Sequence, residues 1–348
     1  MRAWALVGAM AISGATLGAE PPAKVAAPPV VPGPASGPPI VIVEPPPATE
    51  VAAPLMAADC DRGFWISGDY LFLQPRWQGM ELGIQQRRNS GVPDGAIQAL
   101  DFDPGTGYRL TFGYDADAQT RYKLAYTYLS VETGSQLAAT PGTVLLPTLT
   151  HPIGVREALG ADGFARYKQN QIDLMVSRAV TPDKDFSFRV EGGTRFAYID
   201  QEFNVDYNGA GALLASRRTP FNFEGAGLIA GFSSRWACGG NIAVFGGAWG
   251  SLLSGRTRVR TVESDSRLEV LLTDAEQAYH SVVPVADVQL GLAYETSRMK
   301  LALGYQFQEW FGLADQLTFA DDVHVGRLDR RTSNVGLEGL FVRLGISF

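Results

Sequence analysis

Few residues in this chain could carry out chemistry on a substrate. The histidines are His151, His280 and His324. His324 stands beside Asp321 and Asp322, and His280 follows Asp274 at short range. Acid–imidazole groupings of this kind can activate water for hydrolysis, but an acidic, solvated loop has the same composition. None shows metal-ligand spacing, so the expectation is no catalytic centre, no metal and no cofactor. FEGAG and AGLIAG, within residues 223–231, carry glycines but lie in strand-like runs with no helix following, unlike a phosphate-cradling loop. Cys60 and Cys238 are too few for a disulfide scaffold, and a bridge between them and two free thiols both remain open.

A larger group of charged residues recurs at a fixed phase. Arg109, Lys123, Arg189, Arg195, Lys300 and Arg343 are its basic members; Asp69, Asp173, Glu191 and Asp287 are its acidic ones, with Gln171, Gln289 and Gln306 beside them. Each sits in a segment where polar and apolar residues alternate. FWISGDYLF sets Phe64, Ile66, Tyr70 and Phe72 against Ser67 and Asp69, and RYKLAYTYL sets Tyr122, Leu124, Tyr126 and Tyr128 against Lys123 and Thr127. GYRLTFGYD, QIDLMVS, FSFRVEGGTRFAY, DVQLGLAYE and MKLALGYQFQ repeat the pattern. A strand turns alternate residues to opposite faces, so one face is apolar and the other collects the charges. The last ten residues, GLFVRLGISF, put Leu340, Val342, Leu344, Ile346 and Phe348 on one face and Arg343 on the other.

The elements that must position these residues are strands, about ten between Gly63 and Phe348. Short connections fall at 115–119, 181–185, 238–241 and 295–298, and long ones near 75–105, 131–162, 205–221, 256–278 and 312–332. Alternating short turns and long loops, with one apolar strand face, describe a transmembrane antiparallel up-and-down β-barrel with lipid outside and a polar lumen. An open sheet edge in lipid would leave backbone groups unsatisfied, so the first strand must pair with the last. An even strand number puts both chain ends on the short-turn side. The rival reading is a secreted soluble β-sandwich or small barrel. The long loops hold many acidic residues, among them Glu263, Asp265, Asp274, Asp321 and Asp322. Segment 131–162 is long enough to fold inward as a constriction, though nothing in its residues dictates that.

The N-terminal residues bear on export. Arg2 followed by an apolar run from Ala3 to Ile12 and then small residues fits a secretory signal peptide, residues 1–19. Residues 20–59 form a Pro-rich segment, with 12 of the 21 prolines between 21 and 54. That composition favours a disordered, extended periplasmic linker, and contact with peptidoglycan is one role for it. The barrel then occupies 60–348. The net charge of −7 argues against nucleic acid as a partner. The expected surroundings are outer-membrane lipid and, during assembly, the barrel-assembly machinery, for which Leu344, Ile346 and Phe348 form the candidate recognition strand.

Several stretches also resemble the Legionella-type pore-forming major outer-membrane protein family. GGTRFAYIDQEF (192–203) is similar to that family's glycine–arginine–aromatic strand, and residues 223–255 to its glycine-rich hairpin. VVPVADVQLGLAYE (282–295) and GLEGLFVRLGISF (336–348) resemble its last strands, and FWISGDYLFLQP (64–75) its first. Thr194 stands where the family's arginine-bearing strand has a second aliphatic. The resemblance implies an outer-membrane β-barrel with pore-forming character, located in the cell outer membrane.

The expected function is a porin-like barrel passing small hydrophilic solutes, with the ten charged residues named above lining its lumen. The slight basic excess would give weak anion preference. The alternative is a plugged structural or adhesive surface barrel, in which the same charges are salt-bridged. An omptin-like protease working at the rim through the His/Asp groups is the enzymatic alternative.

Overall fold

Ten strands pair side by side until the first meets the last, in a computed structural model of the chain. The structure describes residues 63–88, 90, 92–150, 155–182, 185–209, 215–265, 270–319 and 327–348. The signal peptide and linker read from residues 1–59, Cys60 included, lie outside these. In chain order the strands are β1 (Gly63–Trp77), β2 (Glu81–Arg87), β3 (Ala96–Ala99), β4 (Gly105–Asp115), β5 (Thr120–Ala138), β6 (Thr143–Leu146), β7 (Gly160–Pro182), β8 (Phe186–Asn208), β9 (Ala215–Gly239), β10 (Ile242–Asp265), β11 (Val270–Glu295), β12 (Met299–Phe319) and β13 (Leu328–Ser347). The ring runs β1-β13-β12-β11-β10-β9-β8-β7-β5-β4, all neighbours antiparallel, and β4 returns to β1. The remaining three form a small sheet of order β3-β2-β6.

Closure is made by Trp65–Trp77 pairing with Val335–Ser347, and the Phe348 amide donates to the Phe64 carbonyl at 2.9 Å. The start of β1 and the end of β13 therefore lie at the short-turn end, the periplasmic end by the outer-membrane rule. The tightest turn there joins β9 to β10 through Gly240 and Asn241. Gly239, the last residue of β9, and Gly240 have φ of 99° and 59°, values that glycine adopts without a Cβ clash, next to a register shift between Ile242 and Ala243.

The outward face begins apolar at the short-turn end and stays so for a membrane's depth. Tyr70, Leu110, Leu124, Leu174, Leu290 and Leu303 all stand exposed on it, as lipid requires. Phe348 is 80% exposed at its lower edge, in line with Ile346 and Leu344. Deleting Phe348 is expected to lower the heat-modifiable, folded fraction while export continues. If gel shift shows the same folded fraction as the intact chain, the terminal strand carries no assembly signal.

Strands of about ten residues and long irregular loops are not what forms above the lipid band. β10 has 24 residues and β11 has 26. At about 3.3 Å per residue such strands run roughly 80 Å, well beyond a hydrocarbon core about 30 Å thick. Much of 205–221, 256–278 and 312–332 is thus continued ladder, because period-two pairing does not stop where the lipid does. The outward face changes there to charge: Arg258 meets Glu276 at 3.3 Å, Arg260 meets Asp274 at 2.6 Å, and Arg166 meets Glu202 at 2.9 Å. These exposed pairs contribute little each; their effect is to keep the extension wet outside. Glu263 and Asp265, read as surface-loop acids, instead turn inward and are buried.

Candidate functional site

The inward face has three storeys, and the lowest begins at the periplasmic mouth. A cavity of about 530 Å³ opens there, lined by residues of all ten strands of the ring. Its wall is paired charge. Lys123 Nζ lies 2.7 Å from Glu191, which also accepts from Ser233 and from Trp249 Nε1 at 2.7 Å. Glu295 takes both Arg235 and Lys300, the latter at 2.6 Å, and Arg121 holds Asp115 at 2.5 Å. The Trp65 indole lies flat over Gly113, where any added Cβ would fall 1.9 Å from its ring, and Arg121 stacks on it at 5.2 Å. Gly113 thus supplies the room that the indole occupies.

The middle storey is a floor across the lumen. Arg195 on β8 donates to Asp173 on β7 at 2.8 Å and to Asp287 on β11 at 2.6 Å, and also reaches Ser251 on β10. On the other side Asp69 on β1 accepts Arg343 at 2.7 Å and Arg109 at 3.3 Å, and Arg109 continues to Gln306 at 3.1 Å. Glutamines extend the network: Gln308 donates to Asp287, Gln171 to Asp173 and Gln169 to Gln308. Arg195 is 3% and Asp69 2% exposed. Charges so deeply withdrawn from water persist only when paired and hydrogen-bonded, and here each is.

The third storey, toward the extracellular end, holds a buried apolar cluster. The inward phase becomes Leu71 and Leu73 on β1, Leu129 on β5, Ile199 on β8, Leu253 on β10 and Trp310 on β12, each at most 1% exposed. The sheet β3-β2-β6 fills the space between them. Leu82 and Leu145 from it belong to the same buried cluster, and Met80, Leu100 and Phe102 join them. Tyr207 Oη donates to the Leu82 carbonyl at 2.6 Å, and Gln316 reaches the Gly79 carbonyl at 2.9 Å, so the sheet is tied to opposite walls. Arg217, 2% exposed, donates to the Leu317 carbonyl at 2.6 Å. Burial holds its guanidinium down, to about 10, against the pull of Glu263.

All ten charged residues assigned to the lumen point inward. They do not form one open ring. Asp69, Arg109, Asp173, Arg195, Asp287 and Arg343 belong to the floor; Lys123, Glu191 and Lys300 pair in the cavity wall; Arg189 faces the mouth and donates to the Gln119 carbonyl at 3.0 Å. Sequence reasoning missed Trp65, Trp249, Arg235 and Glu295 at the mouth, and it missed the apolar cover entirely. The signal for the cover was present: after Ser67 and Asp69 the polar phase of β1 turns to Leu71 and Leu73.

The His/Asp groupings dissolve where they can be followed. Asp274 is taken by Arg260, not by His280. His151, Asp321, Asp322 and His324 lie outside the described residues. Among the described residues no three His, Cys, Asp or Glu side chains gather as for a metal ion. Cys238 is exposed, and among the described residues its thiol meets the Trp236 carbonyl, at 3.8 Å.

Solved barrels are similar to this chain at low identity. The outer membrane protease OmpT from Escherichia coli matches with 9% identity and a TM-score of 0.48, over 82% of this chain and 97% of that one. A major outer membrane protein from Thermus thermophilus matches at 10% identity and TM-score 0.33, over 83% of this chain and 100% of that one. The toluene transporter TodX of P. putida matches at 11% identity and TM-score 0.31, over 84% and 91% of the two chains. No curated protein matches the chain. The model of one family, described as the Legionella pneumophila major outer membrane protein precursor, matches residues 58–348. With ten strands closed around charged inward faces and a family match that takes in the whole barrel, this chain belongs to the Legionella major outer membrane protein family and resides in the cell outer membrane.

Proposed function

We propose that this protein is a closed outer-membrane barrel, a surface-anchored structural element rather than a freely conducting porin. The observation that carries the reading is the buried apolar cover, in which wall residues such as Leu253 and Trp310 and inner-sheet residues such as Leu145 are all 0% exposed. A passive path for hydrophilic solutes needs continuous water, and both the buried apolar layer and the paired floor beneath it speak against one. The porin reading keeps one support, the cavity of about 530 Å³ lined by polar side chains, but that cavity ends at the floor. The protein is read as non-enzymatic; what supports this for the described histidine is that His280 lies opposite Arg256 in the β10–β11 ladder while Asp274 is held by Arg260.

Folded protein in a planar lipid bilayer tests this. The expected record shows no discrete conductance steps while heat-modifiability verifies the folded state. Reproducible ohmic steps from such a preparation would restore the porin. Cleavage of a peptide library, lost on His280→Ala or His324→Ala, would restore the enzyme.

A further inference from the structure

The periplasmic cavity has more positive charge than its own carboxylates neutralise. Nine lysine and arginine residues border it against five aspartates and glutamates. The imbalance is spread unevenly. Asp69, beneath the cavity, already serves two guanidiniums, and Glu295 serves Arg235 and Lys300 together. Arg195 is saturated by Asp173 and Asp287. Arg189 and Arg298 are left over at the mouth: neither makes an ion pair among the described residues, and Arg298 is exposed.

We infer that this blind-ended cavity is a binding site, entered from the periplasm, for a small organic anion bearing more than one carboxylate or phosphate group. Low-dielectric walls concentrate the field of unneutralised charge toward the mouth. Guanidiniums suit carboxylate and phosphate, which they hold through paired N–H donors. The volume, about 530 Å³, is that of a small-molecule pocket rather than of a single inorganic ion. Apolar surface is present as well, since Trp65, Phe245 and Trp249 share the lining with the cations. Lys300 and Arg343 lie over the Phe245 ring at 5.5 and 5.9 Å, so cations and aromatic ring form one surface. A ligand with acid groups at its edge and a carbon body at its centre fits both parts.

This inference uses the closed floor of the function proposed above, but binding and closure are measured separately. The full chain, folded in detergent, is titrated calorimetrically with inorganic pyrophosphate and with citrate, and with spermine as a polycation of comparable size. The expected result is saturable binding of at least one of the anions and none of spermine; which anion binds more tightly separates phosphate from carboxylate recognition. Arg189→Gln combined with Arg298→Gln should weaken binding at least about tenfold, the loss of one charge-assisted contact. The same double variant should keep its heat-modifiable folded form, because neither residue joins the floor. Quenching of tryptophan fluorescence on anion addition provides a second readout through Trp65 and Trp249. No saturable anion binding, equal binding of spermine, or an affinity unmoved in the folded double variant would each overturn the inference. Anion binding by a barrel that also conducts would leave the site standing and remove the closed-barrel reading alone.

Discussion

Replacing Arg195 with leucine should destabilise the folded barrel by about 3–5 kcal/mol, the usual result of removing one partner from a buried ion pair. Arg195 bridges Asp173 and Asp287, at 2.8 and 2.6 Å. Its loss leaves two carboxylates facing each other across a lumen with little water. The penalty belongs to the unpaired acids, so neutralising them should relieve it. The triple variant Arg195→Leu, Asp173→Asn, Asp287→Asn is expected to regain most of the loss. Urea unfolding of protein inserted in phospholipid vesicles measures both. A cost below about 1 kcal/mol, the range of solvated pairs, would mean that the floor is hydrated and that the lumen is closer to a porin's than its geometry suggests.

The barrel was legible because its two constraints are local. Lipid forces Tyr122, Leu124 and Tyr126 outward in strict alternation, and backbone satisfaction forces closure, so strand number and the pairing of first with last follow from residue phase alone. The charged residues were legible by the same phase. Their partners were not. Asp69 meets Arg343 across 274 positions of sequence, a distance that only the closed ladder collapses. The strand extensions were missed because outward residues above the membrane, such as Arg258 and Glu276, are polar like those of a loop. Burial of Glu263 looked implausible for an isolated acid, yet the extended wall places it beside Arg217 in the barrel interior.

The inner sheet is the costliest omission, because it changes the function inferred. Its strands are short: β3 and β6 have four residues each. Four residues carry too little period to be told from loop. What gave them away in principle was the wall. Leu71, Leu129, Ile199 and Leu253 occupy positions that a water-filled lumen would fill with polar groups, and apolar residues facing inward from strands spread around the ring require an apolar partner inside.

That partnership gives the last expected result. Leu82 is 2% exposed, and its side chain packs within reach of Gly163, where an added Cβ would fall 2.6 Å from Leu82 Cδ2. Leu82→Glu would place a carboxylate in this buried apolar layer, costing at least about 2 kcal/mol. The wall is held by its own ladders and by lipid, so the inner sheet is the part that yields. Leu145→Cys, in a background where Cys60 and Cys238 are serine, reports on it, because Leu145 is 0% exposed in the closed state. A membrane-impermeant maleimide added outside cells should label that cysteine about 30-fold faster once Leu82→Glu is present, at tenfold per 1.4 kcal/mol. Labelling at one rate in both backgrounds would show that the sheet is not a cover under the control of this contact. Conductance should still be absent in the Leu82 variant, because the Arg195 floor lies beneath the displaced sheet. Channels are expected only when Leu82→Glu is combined with Arg195→Leu, Asp173→Asn and Asp287→Asn, since two barriers in series must both fall before ions cross.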